Sequence, residues 1–239
     1  MRILVLLSAG RHPVSHRPAP VTLELQAIGL ARSIARHLIG LHAGPDTGLL
    51  REYGGAGLDV VHRLDAMPSA ASLAPVIRAL EPDILLAGRR GMGGTDSGML
   101  PYRVAAALGW PIVADVTDIV PMEGLFRFAQ FRPHGARRHV SLGGPVVATL
   151  HPAAPPPPPI VFARSRAVPV NTVPDDGVRA EASAVSGPLE RPYKRRPKMI
   201  APGGRPAARI LLTGATPEMA AEAILDHLER LGLTPGLFE

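Results

Sequence analysis

The residues best suited to chemistry lie between Asp83 and Val116, in the run DILLAGRRGMGGTDSGMLPYRVAAALGWPIVADV. Glycines at 88, 91, 93, 94 and 98 alternate there with Arg89, Arg90, Asp96 and the hydroxyls of Thr95 and Ser97. Glycine lets a backbone approach a ligand closely, and the N–H groups that open a following helix attract anions. The chemistry on offer is the holding of a nucleotide phosphate at Gly91 to Gly98. The plainer reading of the same residues is a glycine turn with Asp96 capping the next helix. Other candidates are thinner. His12 and His16 stand four apart, but Pro13 and Pro18 argue for a loop and no third metal ligand follows. Asp115 and Asp118 read as turn formers behind a strand, and His134 and His139 as solvent-facing residues flanking a hairpin turn. The absence of cysteine excludes disulfides, thiolate metal sites and a Cys nucleophile. No Ser/His/Asp grouping rises above chance.

A phosphate loop needs a strand before it and a helix after it. Ile84 to Ala87 is a short apolar run, about Leu100 to Leu108 has a helical pattern, and Ile112-Val113-Ala114 follows Pro111. That is the βαβ order of a parallel sheet. Upstream, Met1 to Leu7 reads as a first strand, and Thr22 as the cap of a helix reaching about Ile34. His37 to His42 reads as a second strand, ending at Ala43-Gly44-Pro45 on the edge where such sheets receive ligands. Asp46 to Tyr53 is expected to form a short helix that Gly54-Gly55-Ala56-Gly57 breaks. Val60 to Leu64 and Ser69 to Leu80 complete this half as strand and helix. Leu125 to Phe131, Arg138 to Leu142 and Val146 to Leu150 then read as strands of a meander added to the sheet. Pro155 to Pro159 is a stiff extended run. Arg164 to Arg209 has no sustained periodicity and is expected to be an arm ordered by a partner surface. Ile210-Leu211-Leu212 is a brief apolar run. Thr216-Pro217-Glu218 opens a last helix, with Ala220, Ala221, Ile224, Leu228 and Leu231 on one face, ending at Gly232.

A net charge of +6 and a pI near 10.6 would suit nucleic acid. Lysine occurs only at Lys194 and Lys198, however, and the many prolines, glycines and alanines point to a composition bias. Aromatic content of 4% is too sparse for a base-stacking surface, so no nucleic-acid partner is expected. Arg191 to Lys198, RPYKRRPK, reads as part of an arm on an acidic subunit face; a nucleic-acid patch and an anionic membrane contact are the other readings. Ile3 to Leu7 is too short for a signal or a membrane span, so a cytoplasmic protein without a transmembrane segment is expected.

Met1-Arg2-Ile3-Leu4-Val5, Ala43-Gly44-Pro45, Gly88-Arg89-Arg90 with Asp96-Ser97-Gly98, the Leu100 to Pro111 helix and the last helix, in that order, resemble the β subunits of electron transfer flavoproteins. The resemblance implies an α/β fold: a Rossmann-like (adenine nucleotide α-hydrolase-like) parallel sheet with added antiparallel strands and a long C-terminal arm ending in a helix. The α/β domain would span 1–165, and the arm with its docking helix 166–239. It further implies a heterodimer with an α subunit that holds most of the FAD, and a buried AMP of structural role. Electrons would come from a flavoprotein dehydrogenase and leave to a quinone oxidoreductase, so the chain would be a carrier subunit rather than an enzyme. Cofactor-binding positions carried over are Leu6, Ala43, Gly88, Arg89, Thr95, Asp96, Ser97, Gly98, Met99 and Leu100. Partner-recognition positions are Pro157, Pro158, Ile160 and Phe162.

Several residues depart from that pattern. Met99 stands where the family has an amide-bearing Gln, Ser8 where it has a Lys, and Ala19-Pro20-Val21 where it has Asn-Pro and an aromatic that often faces the flavin. Pro157 replaces a leucine anchor, which points away from the acyl-CoA type of dehydrogenase partner. Gly93-Gly94-Thr95-Asp96-Ser97 also matches the core of the pyrophosphate loop of ATP pyrophosphatases, although Met92 stands at its first Ser and the loop follows the fourth strand instead of the first. A stand-alone nucleotide-binding regulatory module of the same fold is the main alternative.

Overall fold

The computed structural model describes residues 1–12, 14–45, 48–90, 97–174 and 212–232. The amino-terminal half alternates β1 (Arg2–Leu7), α1 (Thr22–Arg32), β2 (His37–Ala43), α2 (Leu49–Ala56), β3 (Val60–Leu64), α3 (Ala70–Leu80), β4 (Ile84–Gly88) and α4 (Leu100–Leu108). Then come β5 (Ile112–Pro121), β6 (Phe126–Phe131), β7 (Arg137–Leu142), β8 (Val146–Leu150), α5 (Phe162–Ala167), β9 (Val170–Val173) and α6 (Pro217–Arg230). The sheet order is β7-β6-β5-β8-β4-β1-β2-β3-β9. From β5 to β9 every neighbour is parallel, while β5, β6 and β7 pair antiparallel. The expected α/β class with added antiparallel strands is what the chain adopts.

Strands buried on both faces explain the near-continuous apolar runs. Ile3, Val5 and Leu86 face a core completed by Ala27, Ile28 and Ala31 of α1 and Tyr53 of α2. Leu4, Leu41 and Leu85 face Leu73 and Ile77 of α3 and Val104 and Leu108 of α4. Ser69 starts α3 with a reciprocal hydroxyl pair, Ser72 N–H to Ser69 Oγ at 3.0 Å and Ser69 N–H to Ser72 Oγ at 3.2 Å.

Some expectations are overturned. β8 does not extend the meander: it leaves β7 through Gly143-Gly144-Pro145 and inserts, parallel, between β4 and β5. A Val-Val-Ala-Thr-Leu strand, apolar but for Thr149 and buried throughout, suits the middle of the sheet and not its rim. Asp115 and Asp118 lie within β5, which is longer than expected and irregular on either side of Val116, with Asp115 at φ 55°. Val21, not Thr22, precedes α1; no side chain caps it, and its N–H is given to Tyr53 Oη at 2.8 Å.

The glycines at 54 and 55 do not break α2, which runs through them. Their missing side chains make room for the segment after β8. A Cβ on Gly54 would overlap Val168 Cγ1, and one on Gly55 would lie 2.8 Å from Ile160 Cγ2. Gly29 of α1 does the same for Pro158, at 2.9 Å from its Cδ. Gln26 of α1 adds polar ties, donating its Nε2 to the carbonyls of Ala154 at 3.0 Å and Pro155 at 3.1 Å. The residues expected to begin a featureless arm therefore form α5 and the edge strand β9, beyond 165. The chain divides into two compact units, Met1–Val185 and Ser186–Glu239. In the second, α6 begins with Pro217 behind Thr216, whose Oγ1 accepts from Met219 N–H at 3.4 Å. Ile210, Leu211, the arm from 175 and the basic run Arg191–Lys198 lie outside the described residues.

Candidate functional site at the carboxyl edge of the sheet

The strand order reverses at β1: β2 lies on one side and β4 on the other. Chains leaving β1 and β4 thus part to opposite faces, and ligands of open α/β sheets bind in the crevice between them. Leu6, near the end of β1, is 8% exposed, and Ala43, the last residue of β2, is 7% exposed. Gly88 ends β4, and Arg89 steps out of the sheet with its Nε 3.4 Å from Asp115 Oδ1. That separation with poor alignment is an ion pair rather than a hydrogen bond, and Asp115 Oδ1 is buried without a hydrogen-bond partner.

Gly98, one residue after the described chain resumes, returns to the end of β4. Gly98 sits at φ 69°, and a Cβ there would lie 3.0 Å from Arg89 O. Ser97 Oγ accepts from Met99 N–H at 3.3 Å, and Met99, half exposed, immediately precedes α4, which Leu100 opens. Among the described residues no side chain caps α4. Pro101 has no N–H and Arg103 gives its own to Met99 O at 3.0 Å. The N–H groups of Leu100 and Tyr102 are therefore the ones that point out of the helix at this edge, the arrangement that holds an anion. Leu6, Ala43, Gly88, Arg89, Ser97, Gly98, Met99 and Leu100 are thus all placed along one edge. Thr95 and Asp96 lie outside the described residues.

Pro157, Pro158, Ile160 and Phe162 form a separate group, on the α1–α2 layer. Pro158 and Ile160 seat on the helix glycines, whereas Phe162 is 73% exposed, with the Arg166 guanidinium 5.9 Å from its ring centroid. His12 is a turn residue: its Nδ1 accepts from Ser15 N–H at 3.2 Å. Among the described residues, no cluster of three metal-ligating side chains is found.

Three features escaped the sequence reading. Glu24 of α1 is buried beneath the edge and accepts from Ser8 N–H at 2.8 Å, from Tyr53 Oη–H at 2.6 Å, and from Ser8 Oγ–H. Burial is the main influence on its carboxyl and pushes it up to about 7 against these bonds. Tyr53 is pushed far above the usual phenol range by burial and then by Glu24. His42, 4% exposed, donates Nδ1–H to Leu7 O at 3.0 Å, and its Nε2 is buried without a partner. His151, following β8, stacks on Phe131 at 3.9 Å and 8°. Glu24 was readable in part: a carboxylate four residues before Ile28 and three before Ala27 sits on the apolar stripe of its helix.

A mostly parallel sheet whose strand order reverses at β1, with the uncapped start of α4 beside the reversal, defines an α/β protein of Rossmann-like fold. The electron transfer flavoprotein domain matches residues 14–176. Electron transfer flavoprotein subunit beta of Chromohalobacter salexigens is 32% identical over 166 residues, which cover 66% of this chain and 62% of that protein. The chain belongs to the electron transfer flavoprotein family, as a divergent member on the β-subunit side.

Proposed function

We propose that this chain is the β-type subunit of an electron transfer flavoprotein, paired with an α subunit that holds most of an FAD. It would accept electrons from a flavoprotein dehydrogenase and pass them to a quinone oxidoreductase, in the cytoplasm. The observation that carries this reading is the extent of the family match: residues 14–176 take in the carboxyl edge apart from the end of β1, and the strap after β8 that packs on α1 and α2. A bound flavin supplies the redox chemistry, and the polypeptide contributes position and environment.

The residues at the edge fit an adenosine phosphate. Gly88 and Gly98 let the chain pack closely around Arg89 and Arg90: a Cβ would stand 3.3 Å from Arg90 O at the first and 3.0 Å from Arg89 O at the second. The uncapped N–H groups of α4 suit a phosphate. The buried Nε2 of His42 is an unused polar atom at the end of β2. Val21 is 6% exposed and its N–H is committed to Tyr53, so the position where relatives carry a flavin-facing aromatic is here part of the core. The flavin's aromatic neighbours would come from the other subunit. Exposed Phe162, backed by Arg166, is the anchor for a dehydrogenase.

Co-expression with a candidate α subunit tests the proposal. A yellow complex with equal amounts of both chains is expected. A colourless chain that purifies alone and retains AMP or ATP would favour a stand-alone nucleotide-binding module instead.

A further inference from the structure

We infer that Glu24 is a positioning residue of the carboxyl edge: its carboxyl fixes the end of β1, where the loop to α1 departs, and takes up a proton when a phosphate-bearing ligand binds. The inference rests on the nucleotide reading of this edge.

The geometry supplies the argument. Glu24 belongs to the first turn of α1, yet it reaches β1 through Ser8 and α2 through Tyr53. It also lies under β4, since a Cβ on Gly88 would stand 3.6 Å from Glu24 Cγ. One side chain thus binds the residue that follows β1 and lies beside the last residue of β4. Tyr53 Oη has two acceptors in reach, Glu24 Oε2 at 2.6 Å and Ser8 O at 3.0 Å, but only one hydrogen. When the carboxyl is ionised, that hydrogen goes to Glu24. When it is protonated, the tyrosine can turn to Ser8 O while the acid donates to its hydroxyl oxygen. Both states keep the buried oxygens bonded, so a proton can come or go without breaking the floor.

No cation offsets the carboxylate. On the elements packed against α1, the charged or titratable side chains are Arg2 and His37 at the opposite strand ends, His42, and Arg51, Glu52 and Tyr53 of α2. Arg2 donates to Leu80 O, His42 donates to Leu7 O, and Arg51 and Glu52 are exposed. β4 and β8 carry none, while Arg89 and Arg90 follow β4 directly, Arg89 with its Nε 3.4 Å from Asp115 Oδ1. A phosphate arriving at the edge meets Arg89 there, but it also adds a like charge near Glu24, whose carboxyl has no cationic influence on it, and protonation of Glu24 relieves that repulsion.

Calorimetric titration of AMP into the full chain at about pH 6 and about pH 8 tests this, comparing wild type with Glu24→Gln. The phosphate's own titration is common to both proteins, so the ratio of their affinities isolates Glu24. The wild type should lose about fivefold to tenfold in affinity relative to Glu24→Gln on going to the higher pH. Buffers of different ionisation enthalpy should show a larger proton uptake on binding in the wild type than in Glu24→Gln, the difference being the carboxyl's share. Tyr53→Phe, which removes one donor to the carboxylate, should move the linkage to higher pH. Parallel pH profiles, with AMP bound by both proteins, would overturn the inference and leave the nucleotide reading intact. No AMP binding by either protein would overturn that reading and the linkage together. An infrared carboxyl band that titrates near neutrality in the wild type, and is absent from Glu24→Gln, would then show that the positioning role stands.

Discussion

Glu24 sets a residue-scale price on the edge that a denaturation experiment can read. Its carboxyl, raised from 4.5 to about 7, holds a proton in the folded chain that the unfolded chain has already released. The stability that this proton contributes is complete below about pH 4.5 and is lost as pH rises through about 7. At roughly 1.4 kcal/mol per unit, the wild type should lose about 3 kcal/mol from this group between those limits. Urea midpoints for Glu24→Gln should show a correspondingly flatter pH dependence. A variant that tracks the wild type at every pH would mean that the carboxyl is not desolvated as described. Glu24 was visible in sequence only as a break in the apolar stripe of α1, because its partners Ser8 and Tyr53 lie sixteen residues before it and twenty-nine after. Nothing in the sequence of β2 announced that His42 would turn Nδ1 to Leu7 O and leave Nε2 bare.

At the scale of elements, the helix glycines are the lesson. Local propensity makes Gly54-Gly55 a helix breaker, costing about 1 kcal/mol per residue against alanine. Tertiary packing overrides that, because α2 must accept Val168 and Ile160 against its backbone. Gly54→Ala should therefore destabilise the chain by about 1–3 kcal/mol despite its better helix propensity. Combining it with Val168→Ala should recover part of the loss, in a double-mutant cycle read by denaturant midpoints. A stabilised Gly54→Ala would mean the strap does not pack there. The periodic elements from β1 to α4 were legible, since parallel strands and their helices carry long, regular signals. The place of β8 was not, because three turn residues look the same whether the next strand extends a hairpin or crosses into the sheet. That Leu6, Ala43, Gly88 and Ser97 to Leu100 share one edge follows from the order of the elements, yet only the fold shows that Pro158 and Ile160 seat on the glycines of α1 and α2.

For the whole molecule, the account gives two separate surfaces two jobs: the carboxyl edge receives nucleotide and the strap presents Phe162. Phe162→Ala should slow reduction of the flavin by the donor dehydrogenase by about tenfold or more, in stopped-flow mixing, without changing flavin content. Equal rates would remove Phe162 from the docking surface. Among the described residues, no helix is long and apolar enough to cross a membrane. The most direct test of the central claim is native mass measurement of this chain co-purified with its α subunit. The account predicts a single species containing one copy of each chain, one FAD and one AMP. A mass corresponding to this chain alone, free of flavin while the α subunit is present and folded, would contradict it.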